Sequence, residues 1–231
     1  MSSAQIASNK SAASKSDLSR ASAPELLLYA APYSSAGPVQ SALLDLGLVH
    51  KTIKVDLATQ QQRTPEFLSL NPNGKVPTLL VDGVPMFEAL AILTYLGERF
   101  GVERGMWPAT DTAERRTANA WATWAYVTYG AQITLLLHAT SERFAAELHN
   151  PAQEKLARER LDGLLDILET RLTEQPFMLG AAYSLLDLIV ASVVGYGAMV
   201  GAALDRHPRV QKWVADFQAR PAYAAGMSLV A

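Results

Sequence analysis

The run from Asn71 to Ile92 constrains the fold of this chain more than any other. Pro72-Asn73-Gly74 is a turn, and Val76-Pro77 is a residue–proline step. Val76 to Val81 reads as an apolar strand, Asp82-Gly83 as a second turn, and Glu88 as the mouth of a helix. A proline beside an edge strand is sterically suited to a cis bond and leaves nearby backbone groups unpaired. A helix mouth alongside offers free N–H groups to an anion. Together these features describe a seat for a small, extended, anionic ligand of peptide character.

Composition narrows what surrounds that seat. The chain has 231 residues, 49% hydrophobic and 18% charged, enough for a sizeable core in one large domain or two small ones. A formal net charge of -2, with both signs interspersed, argues against nucleic acid or an anionic membrane as the main partner. There are no cysteines, which excludes disulfides, thiolate metal sites and a cysteine nucleophile. The histidines (His50, His138, His149, His207) form no tight cluster, so no metal site is expected. A cytoplasmic protein is the default. Residues 1–24 are rich in Ser, Ala and Lys without apolar periodicity, and read as a disordered extension. They lack the apolar centre of a secretory signal.

From residue 25 to 100 the pattern is β-α-β-α-β-β-α. Glu25–Ala30 is the first strand, and a helix beginning near Pro38 ends at Gly47. Thr52–Leu57 alternates as a strand, and Thr64–Leu70 is a short helix. Val76–Val81 and Val84–Met86 are strands, and Glu88–Arg99 is a helix with Ala91, Ile92, Tyr95 and Leu96 on one face. Residues 101–111 form a linker with Gly101, Gly105 and Pro108. Residues 112–231 read as helices: Thr112–Leu137, Ala152–Thr173, Ser184–Leu204 and Val210–Arg220. The third of these carries no charge from Leu188 to Leu204, and Gly197-xxx-Gly201 mimics a membrane packing motif. Ser184-Leu185-Leu186-Asp187 is a capping box suited to an aqueous helix start, so a buried core helix is the preferred reading.

Asn71–Leu80 with Phe87–Ile92 resembles the glutathione-binding core of the glutathione S-transferase family, in its cytosolic, bacterial-like form and with its class left open. Phe177–Gly180 followed by Ser184–Asp187 resembles the signature of that family's carboxy-terminal domain, and His207–Trp213 and Arg220–Tyr223 fit its ending. The resemblance covers residues 25–225. It implies a thioredoxin-like α/β amino-terminal domain followed by an all-α domain, with glutathione as co-substrate and a homodimer as the usual assembly.

On that resemblance, Val76 before Pro77 would pair its backbone with the cysteinyl unit of glutathione. Glu88-Ala89 would hold the γ-glutamyl end, and Gln62 and Lys75 are candidates for the glycyl end. Where the family usually has Ser after the acid, this chain has Ala89, so a hydroxyl donor is lost. The thiol-activating hydroxyl would come from the loop after the first strand, with Ser34 ranked first, Ser35 second and Tyr33 third, and Tyr29 at the position of tyrosine-type classes. Serines at that place also serve simply as helix caps. A hydrophobic electrophile would meet Tyr126 and Tyr129, with Ile133 and either Trp107 or Met106 nearby, although such a stripe is also ordinary core. The implied activity is thiol transfer to the electrophile. The alternatives are a non-catalytic binder of glutathione or hydrophobic ligands, a glutathione-dependent isomerase, dehalogenase or lyase, and an assembly module. Without cysteine, any redox chemistry would need two glutathione molecules.

Overall fold

The computed structural model describes residues 23–229. The expectation for residues 1–24 therefore lies outside the described residues, apart from Ala23 and Pro24. Strand β1 (Leu26–Ala30) alternates buried and half-buried positions and forms the middle of a sheet with order β2-β1-β3-β4. It pairs in parallel with β2 (Lys51–Lys54) and antiparallel with β3 (Thr78–Val81), which pairs antiparallel with β4 (Val84–Phe87). The turn between β3 and β4 has positive φ at both Asp82 (50°) and Gly83 (81°), the geometry that an Asp-Gly hairpin favours.

Helices α1 (Ala36–Asp45) and α3 (Ala89–Leu96) pack together over Leu26, Leu28 and Ala30. Helix α2 (Pro65–Leu70) starts on Thr64, whose hydroxyl accepts from Phe67 N–H. Phe67 of that helix meets Tyr29 edge-on at 5.8 Å between centroids. Two sequence expectations change here. Strand β2 stops at Lys54 rather than Leu57, because the Asp56 carboxylate accepts from Ala58 and Thr59 N–H and turns the chain. Helix α3 buries Ala89, Ile92, Leu93 and Leu96, while Ala91 faces outward; a π-helical turn at Gly97–Gly101 rotates the chain after it.

The second half is built from helices joined by irregular segments. Helix α4 (Ala113–Thr123) runs through a π-helical turn (Trp124–Tyr129) into α5 (Gly130–Thr140), three residues beyond the expected end at Leu137. Helix α6 (Pro151–Glu174) buries Ala157, Leu161, Leu165, Leu168 and Leu172 but leaves Leu156 exposed. Helix α7 (Leu185–Met199) is the buried centre, and ends before the expected Leu204. Among the described residues no helix is long and apolar enough to cross a membrane. At the start of α7 the Asp187 carboxylate accepts from Met178 N–H (2.8 Å), Trp213 Nε1–H (3.2 Å), and Ser184 N–H (2.9 Å) and Oγ–H (2.8 Å).

Helix α8 (Pro208–Gln218) is followed by α9 (Pro221–Ser228), which sequence reasoning did not foresee. Helix α9 lies antiparallel along α1. At one end Arg220 donates to Asp45 Oδ1 (2.9 Å), and Tyr183 Oη–H donates to Asp45 Oδ2 (2.8 Å), with the Arg220 guanidinium 3.6 Å from the Tyr183 ring centre. At the other end Tyr33 N–H donates to the Met227 carbonyl (2.9 Å). The two halves are thus joined along α1 as well as through Trp107, which is buried against Gly97 and Gly101.

Candidate active site

Register places the candidate residues together. Tyr29 pairs with Thr78, and Thr78 with Phe87, so the end of β1, the start of β3 and the end of β4 meet at one edge of the sheet. Pro77 and Glu88 therefore lie side by side there, with the Ala31–Ser35 loop on the other flank. The Val76–Pro77 bond is cis. Asn71, only 2% exposed, organises the approach to it: its Nδ2 donates to Lys75 O (2.7 Å) and Thr78 Oγ1 (3.1 Å), and its Oδ1 accepts from Asn73 N–H (3.0 Å). Sequence reasoning gave this residue no role, although an Asn opening a Pro-Asn-Gly turn is a familiar backbone mimic.

The loop serines divide their work. Ser34 Oγ donates to Ala31 O (2.7 Å) and accepts from Ala36 N–H (3.2 Å), so its hydroxyl closes the turn into α1. Ser35 makes no capping bond to its own helix; its Oγ donates across the site to Val76 O (3.1 Å). Ser35 is solvent-exposed, and its hydrogen can rotate to another acceptor. Tyr33 is 78% exposed, with φ 53° and its backbone held by Met227.

Glu88 immediately precedes α3, with φ 70° and an exposed side chain that caps nothing in that helix. Ala89, at the helix start, is buried. Gln62 sits on a single 3-10 turn (Gln61–Arg63) whose backbone meets Gly74; it is nine-tenths buried, and its Oε1 has no partner among the described residues. Lys75 is exposed at the rim.

The proposed electrophile wall is only partly assembled. Tyr126, in the π-helical turn, lies close enough to Glu88 to feel its charge; burial first, and that carboxylate second, push its phenol well above the usual tyrosine range. Tyr129 is a correction. It is fully buried, its ring tilts against Trp124 at 5.7 Å, and its hydroxyl abuts Gly197 of α7. The extra residue of the π turn separates the faces of Tyr126 and Tyr129, and the smallest residue on the facing helix admits the second ring. Ile133 and Trp107 are also core, and Met106 is half-buried and packed against it.

A thioredoxin-like sheet carrying a cis-proline at this edge, latched to an all-helical half, defines the glutathione transferase class of fold. The sequence profile of the glutathione S-transferase N-terminal domain matches residues 24–98, and that of the C-terminal domain matches residues 113–216. The chain belongs to the glutathione S-transferase family. It is 27% identical over 205 residues to glutathione S-transferase F9 of Arabidopsis thaliana, covering 86% of this chain and 94% of that one. It is 29% identical over 202 residues to the disulfide-bond oxidoreductase YfcG of Escherichia coli, covering 84% and 91%. A glutathione transferase of Methylococcus capsulatus superposes with a TM-score of 0.74 at 29% identity, over 88% of this chain and 98% of that one. One from Phanerochaete chrysosporium, solved with oxidised glutathione, gives 0.77 at 22%, over 88% and 93%.

Proposed function

We propose that the protein binds glutathione and activates its thiol for attack on a hydrophobic electrophile, with Ser35 as the activating hydroxyl. The observation that carries this reading is the 3.1 Å bond from Ser35 Oγ to Val76 O. Among the described residues Val76 N–H donates to no protein acceptor, so its backbone is available to the cysteinyl unit. A sulfur held there would meet the Ser35 hydroxyl, which turns from the carbonyl to the anion. That bond favours thiolate over thiol, and the positive end of α1 adds to it. The thiol proton leaves to solvent, the sulfur lone pair forms the bond to the electrophilic carbon, and the leaving group departs with the displaced pair. Glu88 accepts from the ammonium of glutathione, and the N–H groups opening α3 receive the γ-glutamyl carboxylate. Lys75 and the Gln62 amide serve the glycyl carboxylate. Tyr126, beside Glu88, borders the space for the electrophile.

A hydrogen bond to a charged group contributes about 1.5–3 kcal/mol. Ser35→Ala is therefore expected to lower kcat/KM for conjugation of an aromatic halide roughly ten- to a hundredfold. Ser34→Ala should act mainly on stability. Wild-type conjugation by the Ser35 variant would overturn the assignment. A second reading, a disulfide reductase, is favoured by the name of the Escherichia coli relative, and without cysteine it would have to work through two glutathione molecules. Turnover of a small disulfide with glutathione, in the absence of conjugation, would select it. The same scaffold used only to bind glutathione would retain ligand without either turnover. We infer that the implied homodimer buries the exposed Phe87 at the end of the edge strand; sedimentation of Phe87→Glu as a monomer is the expected result.

A further inference from the structure

We infer that helix α9 is a positioning element for the thiol-activating loop, acting through the Met227 carbonyl and the close approach of Gly226 to α1. The inference rests on the reading of Ser35 above. Tyr33 is a non-glycine residue at φ 53°, a left-handed conformation that L-residues seldom adopt. Its N–H is bonded to Met227 O (2.9 Å), a group from the far end of the described chain. Two residues later stands Ser35, with its hydroxyl on Val76 O. The loop is thus pinned on one side by α9 and reaches the site on the other.

The pinning depends on two small residues. A Cβ at Gly226 would fall 2.7 Å from Gly37 O and 2.8 Å from Ser41 N, and would also strike Ser41 Oγ. A Cβ at Gly37 would strike the Met227 side chain and lie 3.3 Å from Met227 Cα. The Met227 side chain could swing away, but the Gly226 contacts with Gly37 O and Ser41 N are with backbone, which cannot yield by rotating a side chain. They fix the distance between α9 and the first turn of α1, where the loop ends. At the other end of α9 the Arg220–Asp45 contact fixes its slide along α1. Helix α9 lies beyond the residues 113–216 matched by the family's C-terminal profile.

The test is Gly226→Ala in the full chain, with glutathione as ligand and the ultraviolet absorbance of the bound thiolate followed against pH. The pH midpoint of thiolate formation is expected to rise by about one unit, with a roughly tenfold loss of kcat at fixed pH below it and KM for glutathione changed by less than about twofold. Hydrogen exchange at the Tyr33 amide should accelerate in the same variant. Ala224→Gly, on the exposed side of α9, loosens the helix without touching α1 and should leave the midpoint unchanged. A Gly226→Ala protein that folds and keeps the wild-type midpoint overturns the inference. So does an equal shift in Ala224→Gly, because helix stability alone would then be the cause. Should Ser35→Ala leave the midpoint unmoved, the assignment of Ser35 fails, and the role of α9 is judged by the Gly226 variant alone.

Discussion

At the level of single residues, the site is notable for what Ala89 lacks. It opens α3, is buried, and presents only its backbone to whatever binds beside Glu88. A hydroxyl there would add one donor to a carboxylate, so Ala89→Ser is expected to tighten glutathione by about 1.5 kcal/mol, roughly tenfold in Kd by calorimetry. Unchanged affinity would show that the γ-glutamyl end is held elsewhere. Asn71 acts in the opposite direction. Its side chain makes the loop's bonds to Lys75 O, Thr78 and Asn73 from a position closed to water. Asn71→Ala should cost about 2 kcal/mol in denaturant unfolding and weaken glutathione binding as the loop relaxes. The residues of this edge were legible because they are near neighbours in sequence, where turn and cap chemistry is local. The choice between Ser34 and Ser35 was not. It turns on Val76, 41 positions away, and no local pattern says which hydroxyl faces a distant carbonyl.

Elements were legible where their period was clean. The β3–β4 hairpin follows from Asp82-Gly83, and α7 from its capping box. Asp187 shows how much that box carries. Burial pushes its carboxyl above the usual range, against four donors that favour the charged form. An amide at this place would turn its NH2 toward donors that need an acceptor. Asp187→Asn is expected to cost about 3 kcal/mol, read as a lower denaturation midpoint without a change in slope. Helix α9 escaped notice for the reverse reason. Ala222, Ala224, Ala225 and Gly226 offer no apolar period, and what Gly226 supplies is closeness rather than bulk. The stripe Tyr126-Tyr129-Ile133 suggested one face, but the π turn gives these residues different neighbours. A period of four residues cannot reveal an inserted one.

For the molecule as a whole, the Asp45 contact couples the two halves. Tyr183→Phe removes one of its two bonds and should lower stability by about 1.5 kcal/mol in a single, still cooperative transition. A split into two transitions would mean that the halves are independent. Alkaline pH gives a second global test. Burial raises the phenols of Tyr126, Tyr129 and Tyr183, helped by Glu88 in the first case and Asp45 in the third. Their folded forms keep a proton that the unfolded chain releases near pH 10. The unfolded state then binds fewer protons, so the stability they supply is whole below about pH 10 and falls as the pH rises above it. Tyrosinate absorbance from these three should therefore appear together with unfolding, not before it.

The pairing of α1 with α9 also sets an order in time. On the ribosome the sheet and its first helices emerge while α9 is still unmade, and early segments begin folding as they appear. Through that interval the Tyr33–Ser35 turn lacks the Met227 carbonyl that pins it, and the Tyr33 N–H is left to water. The turn that carries Ser35 therefore takes its final form only after α9 has been made.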